Sequence, residues 1–149
     1  MDKSGDPRPE FAESLVRCLG DSGSIVVYTH YERTIIKALA KALPKLKAGL
    51  EALIPRLFDL HAVIQKNYYH PGFCGSFSIK QVLPVLVPGL SYDGMDVADG
   101  MQAVRAYYRL TSGELSATAH AALAQSLREY CKLDTLAMVR VYAALKRKE

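Results

Sequence analysis

Cysteine is scarce in this chain, and its three copies form no pattern. Cys18, Cys74 and Cys131 are odd in number and widely spaced. Without a Cys-x-x-Cys pair they argue against a disulfide framework or a thiolate metal site, and for reduced thiols in a cytoplasmic protein. His70 and Cys74 are the closest His/Cys pair, and no second pair with ligand spacing accompanies them. Long apolar runs are also missing. None approaches the length that spans a bilayer, and the opening Met-Asp-Lys-Ser-Gly-Asp-Pro-Arg-Pro-Glu has no apolar core of a signal peptide, so no membrane partner is expected. Internal repeats, linkers and low-complexity blocks are absent.

What is there is one ordinary domain's worth of chain: 149 residues, half of them hydrophobic and 23% charged, enough to bury a core without staples. A net charge of +4 and a pI of about 9.0 mildly favour a polyanionic partner. Part of that excess is the terminal run Lys146-Arg147-Lys148, which also suits a helix end.

Periodicity predicts mostly helix. Residues 1–9 read as an irregular lead-in, followed by a helix from Glu10 to Leu19 with Phe11, Leu15, Val16 and Leu19 as its apolar side. Gly20-Asp21-Ser22-Gly23 breaks the chain, and the β-branched run Ser24 to Thr29 is the one clear strand, buried on both faces. Helices are then expected over Arg33–Leu43, from Pro44 or Lys45 to Tyr69 with a disturbance at Pro55, over Ile79–Leu86, from Asp99 or Gly100 to Leu110, and from Ser116 to Lys146 with a bend. A lone buried strand needs neighbours, and no later segment reads as one. The expectation is that its partners lie outside these residues, or that its exposed edge pairs with a second copy in a dimer.

The most informative stretch is Arg128 to Val139. It puts Tyr130 and Asp134 four residues apart in a helix, so both project from one face. A carboxylate there can hold a divalent cation, and the phenol one turn earlier can reach a water or phosphate beside it.

Several segments in order resemble an uncharacterised bacterial domain family with features of DEDD-type 3′–5′ exonucleases, tyrosine subclass, which have a ribonuclease-H-like fold. They are Gly20 to Tyr28 with Tyr31-Glu32, then Asp59-Leu60, Tyr68 to Pro71, and Gly75 to Pro84. Ser91-Tyr92, Asp99-Gly100 and Glu129 to Val139 complete the series, so the resemblance runs from about Asp6 to Ala144. It implies an α/β fold, mostly helical in the residues given, that is the C-terminal portion of a ribonuclease-H-like domain. It also implies Mg²⁺ or Mn²⁺ held by Glu32 and Asp134, with Tyr130 orienting the attacking water on a DNA or RNA strand. Two departures stand out. Tyr28 occupies the place where the second motif carries Asn, and the first motif, an Asp-x-Glu on an N-terminal strand, is absent: Asp2, Asp6, Glu10, Glu13 and Asp21 lie on no β-like segment. The expectation is therefore a partial domain, inactive alone, whose missing N-terminal segment or nuclease-like domain would be a partner.

Plainer roles compete with these. Glu32 can simply favour a helix N-terminus, and Asp59 can pair with Arg56 or face water. His61, His70 and His120 share no motif. Ser78 offers a cap to the helix from Ile79, where backbone amides and Lys80 can receive a phosphate; the alternative is a loop entering a packed helix. Tyr68-Tyr69 and Tyr107-Tyr108 can stack on bases but read mainly as core and rim. Against the exonuclease-like reading stands a non-catalytic helical module that binds nucleic acid or a protein through its basic surface.

Overall fold

The β-branched run after Gly23 does form a strand, and it finds a partner within the chain. In the computed structural model, which describes residues 5–147, β1 (Ile25–Val27) pairs in parallel with β2 (Leu57–Asp59). Ile25 lies opposite Leu57, Val26 opposite Phe58 and Val27 opposite Asp59. Residues 1–4 with Asp2, and Lys148 of the basic run, lie outside the described residues. Two compact units divide the chain, Met1–Tyr69 and His70–Glu149.

The first unit runs α1 (Arg8–Leu19), β1, α2 (Tyr31–Ala42), α3 (Lys47–Leu53), β2 and α4 (Leu60–Asn67), with 3-10 turns at Pro44–Leu46 and Ile54–Arg56. Parallel strands cannot be joined by a hairpin, and α2 with α3 makes the crossover. The helix expected up to Tyr69 is thus not merely disturbed at Pro55 but replaced by a turn and a strand between two helices. Pro55 removes an amide donor from the helical ladder, and the chain turns extended at Leu57. There β1 offers backbone partners and the core receives the Leu57 side chain.

Ala12, Ile36, Leu39, Ala40, Leu50 and Leu53 form the buried cluster of this unit. Phe11, expected on the apolar side of α1, is 55% exposed, while Ala12 is fully buried. Ala12, Leu15, Val16 and Leu19 share the inward stripe of α1, and Phe11 lies at its edge; α1 comes close to α3, where a Cβ added at Gly49 would meet Val16 Cγ1 at 3.1 Å. Arg56 ties the end of α1 to the following turn, donating to the carbonyls of Leu19, Gly20, Ser22 and Gly23. It does not serve as the ion partner anticipated for Asp59.

The second unit contains the 3-10 turn Pro71–Phe73, α5 (Ile79–Leu86), α6 (Gly100–Thr111) and α7 (Ala117–Lys146). Pro84 sits inside α5 without ending it, and α7 is one continuous helix of 30 residues. Ser116 caps α7, its Oγ accepting from the Ala119 amide at 3.3 Å. Tyr130, Ala137 and Val141 form the buried stripe of α7, which packs against α5 and α6. No helix among the described residues is long and apolar enough to cross a membrane.

The two sides of α1 and α3 should differ sharply in unfolding experiments. Leu50→Ala is expected to cost about 2–5 kcal/mol, the range for emptying a closed core site, and Phe11→Ala less than about 0.5 kcal/mol. Equal losses in urea melts would contradict the assignment of core and surface.

Candidate functional site

Polar chemistry gathers at two places, one in each unit. In the first unit it lies at the carboxyl ends of the parallel strands, the edge where open α/β sheets place ligands. Thr29, just past β1, has φ +78°, a conformation a β-branched residue rarely adopts. The Asp59 carboxylate at the end of β2 holds this turn: its Oδ1 accepts from the Thr29 amide at 3.0 Å and from the Ala62 amide at 3.2 Å, capping α4 as well. Asp59 is therefore half-buried on backbone amides rather than paired with Arg56. Thr29 Oγ1 accepts from the Tyr31 amide at 3.4 Å, and α2 begins there.

Glu32 follows as the second residue of α2. It is half-buried, with Oε2 shielded from solvent, and its position in the first turn also complements the helix dipole. Behind the turn, Tyr28 meets the His61 ring edge-on at 5.5 Å between centroids. Burial, then the Asp59 charge, push the Tyr28 hydroxyl well above the ordinary tyrosine range.

In the second unit, Tyr130 and Asp134 lie one turn apart on α7, as the spacing predicts. The residue that sequence reasoning left without a role is Tyr92. Its buried ring sits 6.1 Å from that of Tyr130, and its hydroxyl donates to Asp134 Oδ1 at 2.6 Å. Burial first, then Asp134 through its charge and a hydrogen bond, push the Tyr130 hydroxyl far upward. Tyr130 thus stays a neutral phenol at ordinary pH, able to donate or accept but not to act as a base. Outer partners of this kind fix the orientation of a metal-ligating carboxylate. The only sequence signal for Tyr92 was its place in Ser91-Tyr92; 42 residues separate it from Asp134.

The remaining candidates are more dispersed. Ser78 occupies the cap position of α5 but makes no side-chain cap bond; its own amide donates to Ser76 Oγ at 3.3 Å. Lys80 is exposed in the first turn. His70 Nδ1 accepts from the Gly72 amide at 3.0 Å, a local turn contact. Asp99 caps α6, accepting from the Gln102 amide at 2.8 Å.

Glu32 belongs to the first unit and Asp134 to the second. Their oxygens match Mg²⁺ or Mn²⁺ in kind. Among the described residues no group of three or more His, Cys, Asp or Glu is placed to hold a metal. Mg²⁺ commonly takes one or two carboxylates and completes its shell with water and phosphate oxygens, so either carboxylate suits it in kind.

Residues 1–78 match the family described as Domain of unknown function (DUF2779). The chain belongs to this family. The matched part holds the whole parallel strand pair, the strained Thr29 turn, Glu32, Asp59 and Ser78; Lys80, Tyr92, Tyr130 and Asp134 lie beyond it. An uncharacterised family, as the residues suggested, is thereby shown over that span, and the match lends no support to the exonuclease resemblance. The curated proteins and the solved structures yield no match.

Both tyrosine sites should be visible in alkali. Tyr28 and Tyr130 hold their protons more tightly folded than unfolded, where tyrosine titrates near 10.0. Above that pH the native state binds more protons than the unfolded one. Stability from this source is therefore level below about pH 10 and falls as pH rises further. Urea unfolding between about pH 8 and 11 should show that decline, and Tyr130→Phe should make it shallower. An unchanged slope in Tyr130→Phe would mean that Tyr130 is not shielded as described.

Proposed function

We propose that this chain carries part of the catalytic machinery of a metal-dependent 3′–5′ exonuclease-like domain acting on nucleic acid. The observation that supports this most is the pairing of Asp134 with two phenols. Tyr130 lies one turn before it on α7, and the Tyr92 hydroxyl anchors it at 2.6 Å. A carboxylate held in one rotamer and flanked by a neutral phenol suits metal ligation beside an oriented water.

In this reading Asp134 and Glu32 are metal carboxylates, and Tyr130 keeps its proton and orients the water that attacks the terminal phosphorus. Bound Mg²⁺ or Mn²⁺ would supply the Lewis acidity that activates the water and stabilises the leaving 3′-oxygen. The strained turn at Thr29 supports the role of Glu32, because strained backbone concentrates at functional sites and this turn starts the helix that carries the acid. Lys80 and Ser78 are proposed as contacts to the strand's phosphates. The 149 residues contain no Asp-x-Glu strand, so the chain alone should cleave little or not at all.

Manganese binding, read by loss of the free-ion electron paramagnetic resonance signal, tests the assignment without requiring cleavage. Asp134→Ala and Glu32→Ala should each abolish or strongly weaken binding, and Tyr92→Phe should weaken it by about 10–100-fold as the loss of an outer partner. Digestion of a 3′-labelled single strand should appear when a segment bearing Asp-x-Glu is fused ahead of the chain, and disappear again with Asp134→Ala. Manganese affinity indifferent to all three substitutions, with no digestion by any version, would leave a non-catalytic module that binds nucleic acid or a protein.

A further inference from the structure

Tyr107 and Tyr108, expected mainly in core and rim, are both exposed. Helix α6 turns Ala103, Ala106 and Leu110, spaced i, i+3 and i+7, toward the interior, with Ala106 buried. α6 packs against α7 within this unit. Met101, Val104, Arg105 and Tyr108 occupy the opposite face; Tyr107 borders it on one side and Arg109 on the other. Tyr108 is 69% exposed and Tyr107 49%, with ring centroids 6.4 Å apart and planes inclined by 66°. Two large rings thus stand open to water side by side on one helix.

We infer that the outward face of α6 is a stacking platform for single-stranded nucleic acid, an inference that rests on the nucleic-acid reading above and adds the strand type and a contact surface. The charge of the helix decides between occupants. Between Gly100 and Thr111 there are two arginines, Arg105 and Arg109, and no acid. A second copy docked through the same face would bring the arginines together in an isologous contact, with no carboxylate on the helix itself to pair them. A phosphate backbone supplies the missing negative charge, and unstacked bases supply flat faces for the tyrosines. A duplex keeps its bases stacked on one another and leaves the rings without a partner.

The test is fluorescence anisotropy of a 5′-labelled oligothymidylate with the whole chain in EDTA, so that no result depends on metal at Glu32 or Asp134. Tyr108→Ala is expected to weaken binding on the order of tenfold, as for loss of one stacked base, and Tyr107→Ala with Tyr108→Ala more than that. Arg105→Gln and Arg109→Gln should each reduce the slope of log affinity against log salt by about 0.7. Tyr69→Ala, which removes an exposed tyrosine of the other unit, should leave affinity unchanged. Circular dichroism shows whether each variant is folded. The inference is overturned if the unaltered chain does not bind the strand, if folded Tyr107→Ala/Tyr108→Ala binds as well as the original, or if these substitutions instead dissolve a dimer seen in sedimentation. Strand binding that survives while manganese binding proves indifferent to Glu32 and Asp134 would sink the exonuclease reading and leave the platform standing.

Discussion

One carboxylate organises the first unit. Asp59 ends β2, caps α4 through the Ala62 amide and accepts the Thr29 amide beyond β1. Those two bonds join the carboxyl ends of both strands and hold Thr29 in a conformation that costs free energy on the order of 1–3 kcal/mol. The start of α2, and with it the position of Glu32, depends on that turn. A parallel pair of three residues each contributes few backbone bonds. Its persistence rests on the crossover helices, whose buried leucines hold β1 and β2 side by side, and on Asp59 closing their ends.

The second unit follows a different principle, a long helix used as a spine. α7 buries Tyr130, Ala137 and Val141 along one stripe, and Asp134 stands one turn after Tyr130 where polar and apolar surroundings meet. A carboxylate in that position needs donors, and the Tyr92 hydroxyl meets the need at 2.6 Å. The same proximity keeps the Tyr130 proton in place. Burial and charge thus act together to hold the proton on the Tyr130 phenol.

The helices were legible because their periodicity is local. Ile79–Leu86 agrees to the residue, although the cap expected from Ser78 does not form. β2 was not legible. Leu57-Phe58-Asp59 is too short to show alternation, and it lies in a sequence whose apolar spacing continues a helix on either side. What makes it a strand is β1, 32 residues earlier in register. Phe11 misled for a similar reason: its spacing suits the apolar face, but only the packed geometry shows that the buried stripe centres on Ala12 and leaves Phe11 exposed.

The sequence by itself determined the mostly helical class, the breaks at glycine and proline, the Tyr130/Asp134 pair on one helical face, and the family over residues 1–78. Each follows from spacing along a single chain segment, where side-chain direction is fixed by helical geometry. Tertiary structure alone decided that Arg56 caps α1, that Asp59 binds backbone amides, that Tyr92 reaches Asp134, and that the tyrosines of α6 face water. Those outcomes depend on which surfaces the burial of apolar groups brings together. Contacts between residues 30 or more positions apart leave no periodic trace in the sequence.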